Sequence, residues 1–184
     1  MAGFRATSDG VTARFAKPEA VIIRDLVGQV VELVAADMPP PASDDLAALV
    51  GLTEDPGLAD DAGLPEDPVL ARLLPDGYRD DPDAAHEFRR FTESGLRSAK
   101  VESARTLLDT LPAGGGKVRL SSDQAEAWLR SLNDVRLALG VRLGVTDDYD
   151  GLGEDVQADD PRYAYIQVYQ WLAYIQESLV AALS

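Results

Sequence analysis

Asn133, Asp134 and Arg136 sit among Leu132, Val135, Leu137, Ala138 and Leu139, on a segment whose apolar spacing predicts a helix from about 122 to 144. Three strong hydrogen-bonding side chains on such a helix need partners, because each buried polar group left unsatisfied costs about 1–3 kcal/mol. Tyr169, Gln170 and Gln176, on the last predicted helix, are the candidate partners. Two arrangements fit these residue types: an interhelical network that fixes how two helices meet, or a polar ligand pocket between them. The network is the expectation. A second cluster, Arg89, Arg90, Arg97, Lys100 and Arg105, shares one predicted helix, and Lys117, Arg119 and Arg130 follow it. If these bases project together they form a basic patch suited to phosphate, although Glu87, Glu93 and Glu102 among them favour ordinary surface ion pairs.

Other chemistries fail on residue type or spacing. Gly116-Lys117 resembles the end of a phosphate-binding loop, but such a loop requires Ser or Thr where Val118 stands and Gly where Leu111 stands. The acidic run around Asp147, Asp148, Asp150, Glu154 and Asp155 invites calcium. With Gly151 at the sixth loop position, Thr146 and Gln157 fall at the terminal ligand positions; with Gly153 there, Leu152 falls at the fifth. Neither register makes an EF-hand. His86 is the single histidine and cysteine is absent, so zinc, thiolate nucleophiles and disulfides are all ruled out within these residues. No nucleophile elbow accompanies the serines, and paired carboxylates occur only where the chain is polar throughout. The expectation is a non-enzyme with no cofactor and no metal.

The elements that position these residues follow from patterning. Phe4–Thr7 and Val11–Phe15 flank Ser8-Asp9-Gly10, a tight-turn signal, and predict an N-terminal β-hairpin with positive φ at Asp-Gly. Pro18 opens a helix over about 18–36 that the run of Val, Ile and Leu predicts to be largely buried. Pro39-Pro40-Pro41 ends it, and Ser43 can cap a short helix over 43–50. A Gly, Pro and acid-rich loop over about 52–66 precedes a short helix after Asp67-Pro68 that docks Val69, Leu70, Leu73 and Leu74.

Asp81-Pro82 starts a long helix reaching Pro112, with Phe88, Phe91, Leu96, Val101, Leu107 and Leu111 along its stripe and Gly95 marking a crossing or kink. Gly114-Gly115-Gly116 reads as a hinge, and Lys117–Leu120 alternates like a strand able to extend the hairpin. Ser121 and Gln124 form a capping-box pair ahead of the Asn133 helix. After a second acidic loop over about 146–160, Asp160-Pro161 opens a final helix. Its apolar residues wrap most of the circumference, which predicts a central position or a homodimer interface. The expected fold is mainly α: a bundle of four long helices plus short helices, with a small N-terminal β-hairpin and a candidate third strand, all within one domain over 1–184.

The charge is strongly unequal. The net of −15 is concentrated in residues 37–83, which sum to −11, and 146–160, which sum to −7, while 84–145 carry 10 bases against 7 acids. Acidic loops repel nucleic-acid phosphates, so the net charge does not favour direct DNA contact, and a solvated coat is the ordinary reading. No apolar run approaches the roughly 18 residues of a membrane helix, and the N-terminus lacks a signal-peptide pattern, which makes the cytoplasm the expected location.

Leu73-Leu74-Pro75-Asp76-Gly77-Tyr78, the run from Lys100 to Pro112, Asn133-Asp134-Val135-Arg136 and Tyr169-Gln170-Trp171-Leu172 occur in an order that resembles an actinobacterial family. It is the domain-of-unknown-function family that includes the AosR-like oxidative-stress transcriptional regulators. The similarity is nearly full length and weakest in the two acidic loops. It implies a cytoplasmic, non-enzymatic regulator whose protein partner is a sigma factor or RNA polymerase. Sensing in such regulators is attributed to a cysteine pair; this sequence has none. An adaptor unrelated to transcription and a ligand-binding helical domain are the competing readings.

Overall fold

Alternation along three short segments builds the sheet. In the computed structural model, which describes residues 3–36, 66–75, 82–145, 156–157 and 159–184 and, within these, not the side chains of 82–91, strands β1 (Arg5–Thr7), β2 (Gly10–Phe15) and β3 (Gly116–Leu120) form one antiparallel sheet in the order β1-β2-β3. Val11, Ala13, Phe15, Val118 and Leu120 point inward and are buried. Arg5, Arg14, Lys117 and Arg119 point outward and are exposed, as a period of two requires. The hairpin turn departs from expectation in one respect. Positive φ is confined to Gly10, at 135°, and Asp9 keeps an ordinary backbone. Gly10 is needed because a Cβ there would collide with the carbonyl of Leu120 on the far strand.

Five helices occur among the described residues: α1 (Lys17–Ala35), α2 (Pro68–Leu73), α3 (Pro82–Thr110), α4 (Ser122–Leu143) and α5 (Tyr163–Leu183). The mainly α class and the third strand agree with the sequence. The helix expected over 43–50, the Asp81 cap, the side chains of Phe88 and Phe91, and most of both acidic loops lie outside what the structure describes. Local signals set the helix starts. Pro18 lies in the first turn of α1, and Glu19 accepts from the Ala16 backbone N–H at 2.7 Å. Asp67 caps α2 by accepting from Val69 and Leu70 at 2.7 and 3.1 Å. Ser121 and Gln124 cap α4 reciprocally, at 3.3 and 3.0 Å, and Gly144 in the left-handed conformation ends it. Ser121→Ala is expected to lower unfolding free energy by about 1 kcal/mol. An unchanged urea midpoint would contradict the assignment of this cap.

Helix α4 is the centre of the fold. It packs against α1, α2, α3, α5, β2 and β3, whereas the last helix, expected to be central or at a homodimer interface, contacts α4 and the strands β1 and β2. Helix α5 buries Ile166, Leu172, Ile175 and Leu179 and leaves Tyr163, Tyr165, Tyr174, Val180 and Leu183 exposed. Helix α1 likewise buries one face, through Ala20, Ile23, Val27, Val30 and Val34, while Val21 and Ile22 face outward. Apolar composition wraps both helices, but among the described residues neighbours bury only one side of each.

Trp128 is fully buried under the sheet, stacked on Phe15 at a centroid distance of 5.7 Å and edge-on to Phe4 at 5.5 Å. Its indole N–H donates to Thr110 Oγ1 at 2.8 Å, so the polar end of the ring is satisfied within the core. Two further expectations about glycines change. Of the crossing or kink expected at Gly95, the crossing is not seen among the described residues, since nothing there lies within 4 Å of its Cβ position. The segment expected to be a hinge is a packed turn: Gly115, with φ 73°, donates its backbone N–H to the Pro112 carbonyl, and a Cβ there would lie 2.7 Å from the Ala16 backbone.

Candidate functional site

The polar residues of α4 separate into two contacts on different faces. Asp134 turns toward α3, where its carboxylate accepts from Lys100 Nζ at 2.7 Å; only 4% of its surface is exposed. Burial raises the Asp134 pKa above the ordinary carboxylate value, and the Lys100 hydrogen bond and charge offset that only in part. Arg136 turns the other way, toward α5. Its Nη1 donates to Gln176 Oε1 at 2.7 Å and its guanidinium lies 5.2 Å from the centre of the Tyr169 ring. Arg136 Nε is buried without an acceptor among the described residues. Asn133 and Gln170 are exposed.

Among the described residues, the spaces beside α4 are small. The cavity beside Lys100 and Asp134, closed by Val30, Val34, Val101 and Ser131, is about 10 Å³, which holds a single water at most. A second space of about 10 Å³ lies among Leu26, Val30, Val69, Val135 and Leu139.

The basic residues of α3 are also dispersed. Arg97 is buried, with Nη1 donating to the Val34 carbonyl at 2.6 Å and Nε to Glu93 at 2.9 Å. It therefore caps the C-terminus of α1, which has no base in its own last turn. Arg24 of α1 does the same for α3, donating to the carbonyls of Leu108 and Leu111. Helices α1 and α3 thus run antiparallel, each supplying the cation for the other's C-terminus. Lys100 is held by Asp134, Arg105 is exposed, and the side chains of Arg89 and Arg90 lie outside the described residues.

A different basic surface is present on the sheet. Its outward face carries Arg5, Arg14, Lys117 and Arg119, with Thr12 between Arg5 and Arg119 in the cross-strand row. Arg14 stands directly opposite Lys117. Beside these residues a groove of about 470 Å³ runs between the sheet and α5, bordered by Gly3, Arg5, Thr12, Arg14, Lys117 and Tyr174. Strand alternation in the sequence contained the signal for this face. Grouping Lys117 and Arg119 with the helical bases of α3 hides it, because only strand pairing brings them beside Arg5 and Arg14.

A family model described as "Domain of unknown function (DUF2017)" matches residues 1–183. The chain belongs to that family. Among DUF2017 relatives, the "Oxidative stress regulator AosR" of Mycobacterium tuberculosis (strain ATCC 25618 / H37Rv) is 36% identical over 192 residues, covering 96% of this chain and 84% of its own. The protein of the same name from Mycobacterium bovis (strain ATCC BAA-935 / AF2122/97) matches to the same extent. A relative from Mycobacterium leprae (strain TN) is 38% identical over 178 residues, 90% of this chain and 78% of its own. No solved structure matches. The DUF2017 resemblance noted in the sequence therefore holds along essentially the whole chain. No described helix is long and apolar enough to cross a membrane.

Proposed function

We propose that this protein is a non-enzymatic cytoplasmic regulator associated with transcription, acting through contacts with a sigma factor or RNA polymerase and without a cysteine redox switch. The observation that carries this reading is where the polar side chains sit. Asp134 and Lys100 hold helices together beside a space too small for a substrate and Arg97 caps α1 from within the core, whereas unpaired charge is displayed on an outer surface. A protein built this way presents its chemistry to a partner instead of enclosing a ligand. The names of its relatives support regulation under oxidative stress. Because the sequence has no cysteine, peroxide cannot act on it through a disulfide.

Affinity capture from mycobacterial lysate, with nuclease-treated, untreated and peroxide-treated arms, tests the reading. Nuclease-resistant recovery of a sigma factor or polymerase subunits, equal with and without peroxide treatment of the bait, is expected. Recovery abolished by nuclease would transfer the role to DNA tethering. Recovery of neither protein in any arm would leave an adaptor unrelated to transcription.

A further inference from the structure

We propose that the outer face of the three-stranded sheet docks an acidic, extended segment of a partner protein, whose carboxylates are held by Arg5, Arg14, Lys117 and Arg119. The proposal deepens the protein-contact reading and rests on it. The first support is pairing. None of these four cations forms a hydrogen bond or ion pair among the described residues, whereas every other described Lys or Arg side chain except Lys17 and Arg105 has a partner. Lys17 itself lies at the adjoining end of α1, two residues past β2.

The second support is register. Like charges directly opposite on adjacent strands destabilise a sheet, yet Arg14 faces Lys117, and no acid lies among the outward residues of the three strands. An acid opposite Arg14 would stabilise the free protein, so the cation there fits an external anion better than it fits the fold. The third is position: this positive face belongs to a chain of net charge −15, so the sheet is where an acidic segment meets attraction.

Geometry selects a carboxylate-bearing peptide over a nucleic acid. Lys117 and Arg119 are two residues apart on a strand, roughly 7 Å, which is also the spacing of alternate side chains on an extended segment. Guanidinium forks take carboxylates through two parallel hydrogen bonds. The groove beside Tyr174 has room for side chains of such a segment, and no acid is among the described residues that border it. A nucleic-acid backbone carries charge well beyond so small a face, on a chain whose net charge is −15, and Tyr174 alone among the groove residues offers no stacking platform for several bases.

Fluorescence anisotropy with the full chain tests this. The probes are a labelled decapeptide with Glu at alternate positions, the same peptide with Lys in place of Glu, and a labelled DNA duplex. The Glu peptide is expected to bind saturably, and Arg14→Glu/Lys117→Glu to weaken it by about tenfold or more. The control Arg105→Glu/Arg130→Glu makes the same change in net charge on helices and should leave binding within about twofold. Lys117→Glu alone should raise the melting temperature by about 1–3 °C while weakening the peptide, because it places an acid opposite Arg14. If charge reversal prevents folding, Arg14→Gln/Lys117→Gln serves, with a loss of several-fold expected.

Equal losses in the sheet and control variants, no binding of the Glu peptide, or preferred binding of the duplex through the same residues would each overturn the proposal. The outcome is separable from that of the capture experiment. Capture of sigma factor or polymerase that survives Arg14→Glu/Lys117→Glu would remove the docking site and keep the regulator reading. Peptide binding without such capture would do the reverse.

Discussion

Replacing Trp128 by alanine is expected to lower the unfolding free energy by about 3–5 kcal/mol, measured by urea titration. The indole is fully buried, fills the space between Phe4, Phe15 and the centre of α4, and joins the sheet to the helices. Deleting it removes apolar contact and leaves a cavity that a packed core only partly closes. It also takes a donor from Thr110 Oγ1, which keeps its own donation to the Thr106 carbonyl at 2.6 Å. Trp128→Phe separates the two effects: the ring is mostly retained, and the loss of the indole N–H contact should contribute about 1 kcal/mol. A loss below about 1 kcal/mol for Trp128→Ala would contradict this account of the core.

Breaking the Lys100–Asp134 pair is the second large expected effect. Lys100→Met leaves a buried carboxylate without its counterion and should cost roughly 2–4 kcal/mol at neutral pH. That extends below the usual range of about 3–5 kcal/mol for breaking a buried pair, because 16% of the Lys100 side chain remains exposed. Lys100→Met/Asp134→Leu should recover most of that loss, since a matched apolar pair incurs no charge burial. If the double variant is as unstable as the single one, the cost lies in packing instead of charge.

The pH dependence has a definite sign. The folded Asp134 carboxyl has a raised pKa, so the native state binds its proton more tightly than the unfolded chain does. The stability Asp134 contributes is therefore greatest below the unfolded carboxylate value and is lost as pH rises through the folded one. Removing Lys100 takes away the group that opposes the shift, raising the folded value further. The destabilisation by Lys100→Met should accordingly be small in acid and grow toward neutral pH, whereas Asp134→Asn should gain on the wild type over the same range. A cost of Lys100→Met that stays constant from acid to neutral pH would contradict a charged Asp134 in the native state.

Much of the scaffold was legible because its signals are local. Ser121 with Gln124, Asp67 before Pro68, and alternation in Val11–Phe15 and Lys117–Leu120 each specify a start, a cap or a face within a few residues. Coverage of a helix is not local. Val21, Ile22 and Tyr165 belong to apolar runs like those that are buried, and only the arrangement of α4 against its neighbours decides which faces are covered. Arg24 and Arg97 were harder still. They serve carbonyls 84 and 63 residues away, and nothing in the spacing of a base on one helix announces the open C-terminus of another. Asp134 and Arg136, two positions apart on α4, necessarily diverge around a helix, so one network through both was geometrically disfavoured. The basic sheet face required pairing register, which brings Arg14 against Lys117 from more than a hundred residues away.

The central claim is that this chain acts by binding the transcription machinery through protein contacts. It is tested most directly by analytical ultracentrifugation of the purified protein with purified mycobacterial RNA polymerase and with a stress sigma factor, separately and together, in nuclease-treated buffer. The account predicts a saturable complex with at least one of them, formed equally before and after peroxide treatment of this protein. Independent sedimentation of all components, or a complex that forms only when DNA is added, would contradict it.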